Sequence, residues 1–109
     1  MQLLLLNLNL FTLKQDIFIN SLSEKVPPES SSHYLRSLWF DANGNWEKAH
    51  EIIQDMNDKE AARVHAYLHR KEGDLGNAAY WYARAGKAMP DETLDQEWRY
   101  LVSAFTEKS

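Results

Sequence analysis

Residues 67–82 of the chain read YLHRKEGDLGNAAYWY, and residues 38–53 read LWFDANGNWEKAHEII. The two stretches align when Gly73 is placed on Gly44, an offset of 73 − 44 = 29 residues. In each stretch a glycine suited to a tight turn is followed by a polar residue that can cap a helix. An alanine, Ala49 or Ala78, then follows and lets two helices approach closely. The pattern predicts two helical hairpins.

Helix signals also cover most of the remaining chain. N-cap and capping-box residues mark six helix starts, which are Thr12 with Gln15, the serines after Pro27-Pro28, Asn45, Asn57 with Glu60, Asp74, and Thr93 with Gln96. The expected helices run from Thr12 towards the two prolines, over 33–42, 46–56, 57–73 and 75–86, and from residue 93 onward. Strand signals are almost absent. The predicted fold class is therefore all-α, with about five to six helices stacked as antiparallel pairs.

Composition limits the functions that the chain can have. Its 109 residues, 44% of them hydrophobic, suit a single domain with a modest core. The net charge of −4 argues against a general nucleic-acid binder. The absence of cysteine excludes disulfides and thiolate-bound zinc and fits a cytoplasmic protein. No phosphate loop, nucleophile elbow or catalytic carboxylate pair is present, so we predict a non-enzymatic protein without a cofactor.

The first eleven residues, MQLLLLNLNLF, are the most apolar part of the chain. They lack the cationic start of a signal peptide, and polar residues interrupt them too soon for a membrane-spanning helix. We expect Leu3 to Leu10 to pack on the domain or on a second copy in a homo-oligomer. The predicted organisation is an apolar arm, short helix and Pro/Ser linker over residues 1–30, followed by a helical domain over residues 31–109.

The second hairpin resembles the tetratricopeptide-type (TPR, Sel1-like) repeats. That family has a characteristic pattern of small, turn, aromatic and proline positions. Here the small positions are Ala66, Ala78 and Ala85, the turn is Gly73-Asp74, the aromatic position is Tyr82 and the proline is Pro90. The first hairpin fits from Gly44 to Ile53 but has Arg36 where a leucine is usual, and it is shorter than the usual repeat of about 34 residues. The segments W-x-K-A-H, H-A-Y-L-H-R-K-E-G-D and Y-W-Y-x-R-A-G also resemble a group of short uncharacterised bacterial proteins. The resemblance implies a TPR-like module that binds a protein or peptide.

In repeats of this type the first helix of each pair lines the ligand groove. By the resemblance, the groove positions fall on Tyr34, Leu38, Asp41, Glu60, Arg63, Tyr67, Arg70 and Lys71, and Arg99 is expected nearby. Four of these are predicted to point outward from the fourth helix and to hold an acidic partner, because arginine pairs bidentately with carboxylates. They are Arg63, Tyr67, Arg70 and Lys71. The alternative is an ordinary solvated face.

His65 and His69 lie one helical turn apart, inside the apolar arc of the same helix. We favour a structural role, in which neutral buried imidazoles form hydrogen bonds with Tyr80, Tyr82, Glu72 or backbone carbonyls. The alternative is a metal site or small enzyme in which His50 is a third ligand and Asp55 or Glu72 a fourth. The H-E-x-x-H zinc signature is not met, because Ala66 occupies its glutamate position.

Overall fold

The computed structural model describes residues 2–108 and, among their side chains, those of residue 10 and of residues 12–107. Six α-helices account for most of this range: α1 Gln2–Asn20, α2 His33–Ala42, α3 Trp46–Ile53, α4 Lys59–Lys71, α5 Leu75–Ala85 and α6 Leu94–Lys108. A short 3₁₀ turn, Ser21–Ser23, follows α1. No strand occurs within residues 2–108. The predicted all-α fold is confirmed.

Most of the predicted helix starts are correct because local capping chemistry sets them. Ser32 accepts a hydrogen bond from the N–H of Leu35 at the start of α2. At the start of α6, Thr93 and Gln96 form the reciprocal capping box, with bonds of 2.9 and 3.1 Å. α5 ends at Ala85, before Gly86, as predicted.

Several predicted boundaries differ from those of the structure. α1 starts at Gln2 rather than near Thr12, because leucine is a good helix former and carries the helix through the apolar arm. α3 ends at Ile53, where residues 54–55 turn the chain towards α4. The cap of α4 is Asp58, whose carboxylate accepts from the N–H of Ala61 at 3.2 Å, and not Asn57.

The two hairpins use the same turn, as their alignment predicts. The N–H of Asn45 donates to the carbonyl five residues earlier at 2.8 Å, and the N–H of Asp74 makes the equivalent bond at 3.0 Å. Gly44 and Gly73 both adopt the left-handed conformation, with φ of 80° and 89°. A side chain would strain that conformation. The 29-residue offset therefore relates two hairpins with one turn geometry.

Helix α4 lies at the centre of the molecule and packs against α2, α3, α5 and α6. Eight of its 13 residues are buried. The main core forms where α2, α4 and α6 meet. The last turn of α1 joins this core, because Phe18 is only 3% exposed and its ring lies 6.3 Å from that of Trp98. The indole of Trp39 also donates to the carbonyl of Ser21.

Helix α1 has an exposed apolar surface in its second half. Leu10, Leu13 and Ile17 are each 53% exposed. The side chains of residues 3–9, on which most of the expected burial falls, lie outside the described residues. No helix within the described range is long and apolar enough to cross a membrane.

The packing of Ala78 can be tested by substitution. This side chain has no exposed surface and packs with Ala66 and Tyr82 between α4 and α5. Ala78→Leu should overpack the contact and lower the free energy of unfolding by about 1–3 kcal/mol in urea titrations. Ala79→Leu is the matched control, because Ala79 is exposed on the same helix. Equal stability of the two variants would contradict this packing.

Candidate functional site

Three imidazoles from two helices lie together between α3 and α4. His50 belongs to α3, and His65 and His69 lie one turn apart on α4. One ring nitrogen of each histidine lies within 4.8 Å of one from each of the other two. The Nε2 atoms of His50 and His65 are 3.0 Å apart. The inward orientation predicted for His65 and His69 is confirmed by exposures of 4% and 6%.

Burial favours the neutral form of two of the three imidazoles, those of His65 and His50. It lowers the pKa of His65 to about 4, and repulsion from His50 and His69 adds to the shift. Burial also lowers the pKa of the half-buried His50, again assisted by His69. A neutral pair at 3.0 Å shares one proton, so that one Nε2 donates and the other accepts. Neutral imidazole is also the form that binds a metal ion.

A carboxylate orients the third imidazole. Nδ1 of His69 lies 2.6 Å from Oε1 of Glu72, so Nδ1 is the donor and Nε2 is left for a ligand. This carboxylate–histidine pair is the usual support of a metal-binding histidine. Glu72 was predicted both as a hydrogen-bond partner and as a fourth ligand, and the contact with His69 confirms the first of these. Asp55, the other predicted ligand, joins no convergent ligand group among the described residues.

Two tryptophans enclose the histidines. Trp46 stacks on His50, with ring centroids 4.9 Å apart and an interplanar angle of 9°. Trp81 stacks on His65 at 3.9 Å and 17°. Trp46 and His50 are four residues apart on α3, and this spacing in the sequence predicts that they lie on one face of the helix. Trp81 comes from α5, so its contact depends on how the hairpins pack.

The predicted outward orientation of the cationic stripe is wrong for Tyr67 and Arg70. Tyr67 is 2% exposed, and its hydroxyl donates to the carboxylate of Asp41 at 2.9 Å. Burial and the nearby Asp41 raise the pKa of Tyr67. The ammonium group of Lys71 lies 2.9 Å from the same carboxylate. Asp41 therefore binds two of the four predicted residues, the buried Tyr67 and the partly exposed Lys71.

Arg70 is paired by the last helix. Its guanidinium lies 2.7 Å from the carboxylate of Glu97, which has no exposed surface, and it also donates to the carbonyl of Glu92. The hydroxyl of Tyr82 donates to the same carboxylate at 2.6 Å. A buried carboxylate needs such partners because the desolvation cost of an unpaired charge is high. Within the described residues, Arg63 is the one member of the stripe that forms neither an ion pair nor a hydrogen bond.

The remaining positions that the resemblance placed in a groove are also engaged in internal contacts. The hydroxyl of Tyr34 donates to Asp58 at 2.5 Å, and this bond, with burial, raises the pKa of Tyr34 to about 12. Leu38 is fully buried. Arg99 pairs with Asp95 on its own helix at 2.9 Å. Binding of a partner by Arg63, Tyr67, Arg70 and Lys71 stays a prediction.

The chain matches no known family model, and no curated protein or solved structure is similar enough to it to indicate a family. The functional argument therefore rests on the geometry of these side chains.

The histidine cluster predicts a specific pH dependence in the metal-free protein. A pKa lowered on folding means that the unfolded chain binds more protons between about pH 6.5 and 4, so stability is lost as the pH falls through this window. Because of His65, the free energy of unfolding should be about 1 kcal/mol lower at about pH 5.5 than at about pH 7.5. Urea titrations with a chelator should show this slope flattened in His65→Gln.

His33→Gln is the matched control, because His33 is exposed at the start of α2 and outside the cluster. This variant should keep the wild-type slope. A slope that persists unchanged in His65→Gln would show that burial of neutral His65 is not its cause.

Proposed function

We propose that this chain is a small helical metal-binding protein that holds one divalent transition-metal ion at His50, His65 and His69, with zinc as the best-fitting ion. The observation that carries the proposal is the convergence of three imidazoles from two helices, with one nitrogen of each within 4.8 Å of the others. From the sequence alone, metal binding was the alternative to a purely structural role of the histidines. We now prefer metal binding, because the three imidazoles lie together and a carboxylate supports one of them.

The donor set suits zinc. Zinc binds imidazole nitrogen at about 2.0–2.1 Å, which places two tetrahedral ligands about 3.3 Å apart. The Nε2 atoms of His50 and His65 are 3.0 Å apart. A small movement, with the shared proton transferred to Nδ1 of its own ring, would leave both Nε2 lone pairs for the ion. Three nitrogen donors without any thiolate also suit cobalt and nickel, which bind the same ligand type.

The surroundings supply the features that such a site needs. Glu72 fixes the orientation of His69 and brings negative charge near the ion. The stacked tryptophans hold His50 and His65 and exclude water from two sides. Three histidines would leave one tetrahedral position for a water molecule or a partner's side chain, and His50 is the ligand that is only partly buried.

The alternative function, a TPR-like module that binds a protein or peptide through Arg63, Tyr67, Arg70 and Lys71, has less support. Three of these four side chains are already paired with Asp41 or Glu97. A partner that took these side chains would leave the buried carboxylates of Asp41 and Glu97 without their partners, at a high free-energy cost. The imidazoles, in contrast, can bind an ion with little rearrangement, so the metal function ranks first.

Isothermal titration of the metal-free protein with zinc should give one site per chain. His50→Ala should abolish binding, because it removes one of three ligands while changing a side chain that is only half buried. Glu72→Gln keeps a hydrogen-bond acceptor but removes the charge, and it should weaken binding about 10- to 100-fold. His33→Ala, which removes the one histidine outside the cluster, is the control and should bind as the wild type.

Thermal unfolding supplies a second measurement. Zinc binds the folded state and should raise the melting temperature of the wild type and of His33→Ala, but not that of His50→Ala. A wild-type protein that binds no zinc, or a His50→Ala variant that binds it equally well, would contradict the proposal. The cluster would then be an aromatic packing contact only.

A further inference from the structure

A second candidate site lies beside Arg63, in a cleft between α4, the end of α5 and α6. The cleft has a volume of about 300 Å³, at the lower limit of small-ligand sites. Its apolar lining comes mainly from Leu101, Ala104 and Phe105. Three cationic side chains also line it, and these are Lys59, Arg63 and Lys87.

The charge of this cleft opposes that of the whole chain. Three cations and Glu60 give the lining a formal charge of 3 − 1 = +2, whereas the chain carries −4. Within the described residues, the five side-chain ion pairs do not include Lys59, Arg63 or Lys87. Positive charge that is not neutralised within the protein attracts anions to the cleft.

Arg63 has an unused donor at this site. Its guanidinium lies 5.1 Å from the centroid of the Tyr100 ring, and this cation–π contact holds the group in place. Its Nε–H is buried and has no hydrogen-bond acceptor among the described residues. A buried donor without an acceptor is costly, and a small movement of this side chain into the cleft would let a ligand oxygen relieve that cost. The guanidinium fork is also well shaped for a carboxylate.

We propose that this cleft binds a carboxylate attached to a compact apolar group, with the carboxylate held by Arg63 and assisted by Lys59 and Lys87. The apolar part would lie against Leu101, Ala104 and Phe105, which a purely inorganic anion could not use. Two sources have this chemistry: a free small acid, and the C-terminal residue of a peptide. Both arms of the test use the same apolar side chain.

This site is separate from the histidine cluster. Arg63 and His65 are two residues apart on α4, so their side chains leave the helix in nearly opposite directions. The cleft proposal therefore does not depend on metal binding, and its test is made in the presence of a chelator.

The probe is N-acetyl-leucine, titrated by NMR of the backbone amides, with N-acetyl-leucinamide as the uncharged control ligand. N-acetyl-leucine should shift the backbone amide resonances around the cleft, and N-acetyl-leucinamide should not.

Arg63→Gln should weaken binding by about 10-fold or more, as expected for loss of a charged hydrogen bond. Lys87→Gln, an exposed change, should weaken it by a smaller factor. Arg99→Gln is the control, because Arg99 is paired with Asp95 and does not line the cleft.

A short peptide ending in leucine distinguishes the two sources. Tighter binding of the peptide than of N-acetyl-leucine assigns the cleft to peptide C-termini, and equal binding assigns it to free acids. The proposal is overturned if the acid does not bind, if the amide binds equally well, or if both Arg63→Gln and Lys87→Gln bind like the wild type. The Lys87 variant keeps the test decisive if Arg63→Gln fails to fold.

Discussion

The enclosure of α4 by four other helices is the constraint on which the rest of the structure depends. A helix packed on most of its surface needs partners for most of its buried polar side chains, because an unpaired buried polar group costs more than a hydrogen bond returns. Eight of the 13 residues of α4 are buried, and these include His65, Tyr67 and His69. The helix can carry such residues only because its neighbours supply their partners.

On one side of α4 those partners are acids. Asp41 of α2 accepts a hydrogen bond from Tyr67 and forms an ion pair with Lys71, and Glu97 of α6 forms an ion pair with Arg70. Each acid thereby links α4 to a neighbouring helix. Arg70 and Lys71, expected to form a binding stripe, are paired within the molecule for this reason, whereas the buried Nε–H of Arg63 has no acceptor among the described residues.

On the side facing α3 the imidazoles meet one another. Two neutral imidazoles at 3.0 Å satisfy only one donor and one acceptor between them, whereas a cation accepts a lone pair from each of the three rings. Glu72 already fixes the tautomer of His69 that such an ion needs. This geometry is the basis of the proposed metal site, whereas the structural role first indicated by the sequence is supported by the bond between His69 and Glu72.

The sequence predicted the features that depend on neighbouring residues. The turns at Gly44 and Gly73, the capping box at Thr93 and the inward orientation of His65 and His69 all follow from spacings within one or two turns of helix. Pairings between distant segments could not be read in the same way. Glu97 does have a sequence signal for burial, because it lies three residues after Leu94 and four before Leu101, on the same face of the helix as these apolar residues. Nothing in the sequence identified Arg70 as its partner or placed Trp81 on His65.

The most direct test of the central claim is the side-chain ¹⁵N spectrum of the four histidines during a zinc titration. We expect the ring nitrogens of His50, His65 and His69 to shift together and saturate at one equivalent of zinc, with Nδ1 of His69 still protonated towards Glu72 and His33 unchanged. Resonances of the three clustered rings that do not move, or that move no more than those of His33, would contradict the account.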